Sequence, residues 1–203
     1  MMDVRLFLEY LPWLRKPDYY YKSKNGSGGW TEQEITEAIA SQALDKTAIK
    51  RSSRLNIETA PEVMQLLYAE HSLGNVHMLW TNFWSEPREL LEGWGFADMS
   101  EANVILVPSG RVEAYNAHPI QELHGESQLL GVLARDLESY LEAMLYGALN
   151  AIHFISGFPD EDPILYEKTV LVAKHCALIA GGYEYYDFWA GILGLPYSET
   201  VPE

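Results

Sequence analysis

The residues able to do chemistry are present in this chain, but their spacing is wrong for the common reactions. His71 and His77 stand six apart, as do His118 and His124, with Glu70 and Glu122 nearby. Zinc ligands usually sit closer, as H-x₃₋₅-H completed by cysteines or carboxylates. No HExxH or CxxC occurs, so no metal ligand set is assigned. Asp160, Asp162 and Glu167 have the look of a calcium loop. The glycine such a loop needs at its sixth position is absent and Pro163 interrupts it. These acids are better read as the N-terminal charge of a helix. The lone Cys176 lies among apolar residues at helical spacing, where a buried, inert thiol is expected. The stretch KSKNGSGG at 22–29 lacks the terminal Gly-Lys-Ser/Thr of a phosphate loop, and Ser27 is not in a G-x-S-x-G elbow. No catalytic residue and no cofactor follow from these patterns. Paired carboxylates or a nucleophilic triad would be assembled only in three dimensions.

Composition bounds the class. In 203 residues, 48% are hydrophobic and 21% charged, the balance of a folded globular protein with a sizeable core. Residues 1–54 hold 9 Lys+Arg and 7 Asp+Glu, a charge of +2, and the remainder holds 5 and 22, a charge of −17. A net charge of −15 repels phosphate backbones, so no nucleic-acid partner is expected; it favours a basic one. Asp3, Arg5 and Glu9 interrupt any leader-like apolar run, and Lys174 and His175 break the densest apolar stretch. No membrane partner and a cytoplasmic location are the expectations.

The element that must position any site runs from Asn103 to Asn150. Val104 to Val107 is a β-branched apolar run, Pro108-Ser109-Gly110 a turn, and Arg111 to Ala117 alternates in period two. Val112, Ala114 and Asn116 take one face; Arg111, Glu113 and Tyr115 take the other. Leu129 to Leu133 reads as a third strand. Asp136 caps a helix whose Leu137, Tyr140, Leu141, Met144, Leu145, Ala148 and Leu149 form one stripe.

Around this block the pattern predicts helices over Met2–Leu11, Thr31–Leu44 with a Thr31/Glu34 capping box, and Thr59 to Gly74 with Pro61 in its first turn. KTAIKRSSR at 46–54 reads as a solvated basic loop. Val76–Trp84 is expected to be one strand, and Ser85 to cap a short helix over Pro87–Gly93. Beyond Asn150, Ile164–Ala180 and Tyr183–Leu193 read as two helices parted by Gly181-Gly182. The expected fold class is α+β, a twisted antiparallel sheet against helices, with residues 1–150 as the main domain and 151–203 as a helical extension packed on it.

The central block, VILVPSGRVEAYN followed by LLGVLARDLESYLEAML, resembles the SUKH superfamily, also called SMI1/KNR4-like. Leu11-Pro12 and NGSGG from Asn25 echo that family's Leu-Pro…Asn-Gly-Gly segment, while the tail beyond Asn150 lies outside the pattern. The resemblance implies a binding module and not an enzyme, and includes immunity proteins that neutralise a bacterial toxin. Aromatics among acids suit a protein-binding face, so the expected partner-binding residues are Trp84, Glu86, Glu89, Trp94, Glu113 and Tyr115, facing a protein partner such as a basic toxin. Two alternatives stand beside this. One is a small-ligand binder or hydrolase with a pocket between the sheet and the C-terminal helices. The other is a homodimer formed through the aromatic final helix.

Overall fold

The computed structural model describes residues 3–14, 57–69, 72–74, 76–117, 128–150 and 163–195. The expected Thr31–Leu44 helix, the basic 46–54 segment, the NGSGG run, His71, His118, His124, Asp160 and Asp162 lie outside these residues. Helix α1 spans Val4–Leu14, a 3-10 turn spans Ile57–Thr59, and α2 spans Glu62–Leu67. Six strands follow: β1 His77–Met78, β2 Thr81–Glu89, β3 Trp94–Met99, β4 Ala102–Leu106, β5 Val112–Asn116 and β6 Leu129–Ala134. Helices α3 Leu137–Asn150 and α4 Pro163–Ala180, a 3-10 turn Tyr183–Tyr185 and α5 Tyr186–Ile192 complete the order. The class is α+β: one antiparallel sheet in sequential order β1 to β6, packed against helices that include the C-terminal ones.

The central hairpin forms as its alternation demands. Val104 pairs with Ala114 and Ile105 with Glu113. Gly110, at φ 89, closes the turn where a side chain would be strained. Val104, Leu106, Val112 and Ala114 face the core, which α3 covers with Leu137, Tyr140, Leu141 and Met144. Asp136 caps α3 through Oδ1, which accepts the Ser139 amide at 2.7 Å. Leu149 departs from the expected stripe and is exposed.

Four elements differ from expectation. Helix α1 buries Val4, Phe7 and Leu11 as its period predicts, but continues through Pro12 to Leu14. The α2 helix stops at Leu67, far short of Gly74. Tyr68 turns out of it so that its hydroxyl donates to the Phe96 carbonyl at 3.0 Å, and Pro61 is its N-cap, with Thr59 in the preceding 3-10 turn. The single strand expected over Val76–Trp84 is a hairpin of β1 and β2. Its turn residues Leu79 and Trp80 both have positive φ, 47° and 67°. That conformation is uncommon for bulky side chains, and neither Gly nor Asn signals it. Leu79 turns toward Gly147 on α3, where an added Cβ would meet its Cδ1 at 2.8 Å, while Trp80 is left 73% exposed.

The helix expected over Pro87–Gly93 is not formed. Strand β2 continues to Glu89, and Leu90 and Gly93 exchange backbone hydrogen bonds across a tight turn. Cross-strand pairing of Arg88 with Gly95 and Glu89 with Trp94 outweighs the local helical preference. Pro87 falls where the β2–β3 register shifts between Phe83 and Arg88, so its missing N–H need not interrupt a regular ladder.

Replacing Asp136 with Ala removes the α3 cap and is expected to cost about 1 kcal/mol of stability by urea unfolding, with Asp136→Ser recovering most of it. An unchanged midpoint in the Ala variant would contradict the cap.

Candidate functional site

Strand register sorts side chains onto two faces, since directly paired residues point the same way. On the face away from α3, one row crosses five strands as Asn82, Asp98, Asn103, Tyr115 and Leu129. A second row runs Arg88, Gly95, Ile105, Glu113 and Val132. Polar and aromatic groups dominate these rows, and they are tied to each other.

Asp98 is the hub on the β2–β3 side. Its Oδ1 accepts from Asn82 Nδ2 at 2.9 Å and its Oδ2 from Trp84 Nε1 at 2.8 Å. Gly95 lets the indole lie flat on the sheet, because a Cβ there would meet Trp84 Cζ3 at 2.7 Å. The Arg88 guanidinium stands 5.1 Å from the indole centroid, in cation–π range. The ring is thereby held from its edge, from below and from above.

Glu113 is the hub on the β5 side. It is only 3% exposed, so its expected place as a free surface acid is corrected. Its Oε2 accepts the Tyr115 hydroxyl at 2.7 Å, and Arg111 Nη2 lies 2.6 Å from Oε1. That second contact is a charge pairing outside hydrogen-bond geometry, since Oε1 has no hydrogen-bond donor. Removing one partner of such a pair costs more than the pair contributes, because it strands the other charge. Burial pushes the Tyr115 phenol up to about 12. Its hydrogen bond to Glu113 and the charges of Glu113 and Glu92 add to the rise, and Arg111 opposes it.

The six expected partner-binding residues do not form one face. Trp84, Glu113 and Tyr115 share the outer face just described. Trp94 pairs with Leu106 and Glu89, on the core side. Glu86 is half-buried within the irregular stretch of β2, and Glu89 is exposed at its end. The reason is the β2–β3 turn at 90–93, unseen in the sequence, which reverses the chain between Glu89 and Trp94. Asp98 and Arg88 complete the face and were not anticipated, and Arg111 joins it on the Glu113 side that alternation assigns it. Strict alternation over WGFADM would have put Asp98 on the side of Trp94 and Phe96; the register shift between Gly95 and Ala97 turns it outward.

Trp94 instead borders a cavity of about 450 Å³ beside the Val107–Gly110 turn, with Thr59, Pro61, Leu106, Asp136 and Glu138 in its wall. Among the described residues, none from α4 or α5 lines it. The junction of α3, α4 and α5 is filled by Met144, Ala173, Cys176, Ala177 and Trp189. Tyr185, Tyr186 and Trp189 of the aromatic C-terminal segment are buried in the chain's own core. Burial pushes the Cys176 thiol up to about 12, so it is protonated and weakly nucleophilic at neutral pH. Among the described residues no cluster of three or more His, Cys, Asp or Glu is placed to hold a metal ion, and no helix is long and apolar enough to cross a membrane.

No family model, no curated protein and no solved structure matches this chain.

Alkaline pH tests the β5 hub. A phenol whose folded pKa lies above its unfolded value of roughly 10 contributes stability that is complete below pH 10 and lost as pH rises through the folded pKa. Burial raises Tyr68 and Tyr140 as well as Tyr115. The urea midpoint is expected to fall between about pH 9.5 and 12. The fall should be shallower in Tyr115→Phe, and an identical slope would count against the Tyr115–Glu113 bond.

Proposed function

We propose that this chain is a protein-binding module of the intracellular, non-catalytic kind, and that its partner docks on the outer sheet face centred on Trp84 and Tyr115. One observation carries the reading: both carboxylate oxygens of Asp98 and one of Glu113 accept from neighbouring side chains and hold them in place. What remains at the surface is a fixed aromatic ring, a half-buried phenol and two arginine side chains. Rigid aromatic and arginine groups are the common anchors of protein interfaces, since little side-chain entropy is lost when they are covered. The charge of −15 supports a basic partner, whose approach it would accelerate at low salt.

A place in the SUKH superfamily, with a role as an immunity protein that neutralises a basic bacterial toxin, belongs to the same proposal. It is supported by the resemblance of the central block, and by the succession of hairpin, third strand and capped helix in the fold. A second reading, small-ligand binding, is favoured by the cavity beside Trp94, whose Asp136 and Glu138 suit a cationic ligand.

A photo-crosslinking residue at Leu129, exposed in the Asn82–Tyr115 row, tests the docking face, with one at Leu6 on α1 as control. The expected result in the native host is a basic protein captured from position 129 and not from position 6. Trp84→Ala should weaken binding of that protein about tenfold or more, with native secondary structure retained by circular dichroism. Capture from position 6 alone, or full affinity in Trp84→Ala, would contradict the reading.

A further inference from the structure

Helix α4 carries an apolar stripe that the described residues leave exposed. Its 18 residues bury Thr169, Val172, Ala173, Cys176, Ala177 and Ala180 against the chain. On the opposite side Ile164 is 65% exposed, Leu171 58% and Leu178 48%. Their spacing of seven puts all three on one line down the helix, about 21 Å long at 1.5 Å per residue. Scattered apolar residues on a surface need no explanation, but three on one heptad line form a seam.

We propose that this seam is a self-association surface, on which α4 of a second copy of this chain packs antiparallel about a two-fold axis at Leu171. The inference is independent of the sheet-face reading. Three features select this occupant. The stripe is symmetric about its centre, so antiparallel packing sets Ile164 against Leu178 of the second copy and Leu171 against itself, as an isologous interface requires. The flanking charges are complementary in that direction: Glu167 and Lys174 share one flank of the stripe, so Glu167 meets Lys174 of the second copy twice. The other flank brings Lys168 beside the second copy's His175, which adds no attraction of opposite charges. Local charge also permits the approach. The exposed or half-exposed charges within α4 that flank the stripe, Glu167, Lys168 and Lys174, sum to +1 in a chain whose total is −15.

Sedimentation velocity of the full chain from roughly 1 µM to 1 mM is the test. The mass is expected to double with concentration. Leu171→Glu should leave a monomer throughout, with an unchanged thermal melt at about 1 µM, where both proteins are monomers and the residue is exposed. Glu167→Lys should weaken dimerisation about tenfold, and Glu167→Lys with Lys174→Glu should restore it, since the pairs are reversed but still opposite. A wild-type monomer at every concentration overturns the proposal. So does a Leu171→Glu variant that dimerises as the wild type does, or a reversed-charge pair that fails to recover.

Discussion

A chain of aromatic rings crosses the core and fixes which face of the sheet is sealed. Phe7 of α1 lies 6.0 Å from Phe83 of β2, Phe83 lies 6.1 Å from Phe96 of β3, and Phe96 meets Tyr140 of α3 edge-on at 5.8 Å. Tyr140 in turn lies 6.0 Å from Trp189 of α5. Five rings thereby link the first helix, two strands, the long central helix and the last helix. Such pairs add roughly 0.5–1.5 kcal/mol each beyond the area they bury. Their larger effect is on specificity. The rings must all lie on one side of the sheet, so β2 and β3 cannot slip by one residue without turning Phe83 outward and Trp84 inward.

The polar character of the other face follows from that constraint. With Phe83 and Ala97 committed inward, Trp84 and Asp98 point outward, and a ring of that size lying on a sheet needs a partner for its N–H and room beneath it. Asp98 supplies the first and Gly95 the second. Two strands away, Glu113 is drawn into a nearly dry site and depends on Arg111 and Tyr115 to remain there. The face is consequently more rigid than a free array of charged side chains. Rigidity before contact lowers the ordering cost of association, which suits a docking surface.

Much of this was legible in the residues. The hairpin at 103–117, the strand at 129, the Asp136 cap and the Tyr140 stripe follow from period and capping chemistry, and all lie where one local preference meets no competitor. The helix expected over Pro87–Gly93 failed because sheet pairing overrode a weak local signal. The Leu79-Trp80 turn carries a backbone conformation that neither residue announces. The outer face was half legible. Tyr115 and Glu113 stood on the correct side by alternation, but alternation gives direction and not depth, so the burial of Glu113 was invisible. Trp94 was misplaced because a turn four residues long reverses its strand.

The central claim is that the outer sheet face, clamped around Trp84, is where a partner lands. Labelling the six tryptophans with 5-fluorotryptophan and titrating in the protein recovered by the Leu129 crosslink addresses it directly by fluorine NMR. The account predicts that the Trp84 resonance shifts or broadens on binding while that of Trp189, sealed in the core, stays in place. A Trp84 signal unmoved at saturation, with the change confined to Trp80 or Trp94, would contradict it.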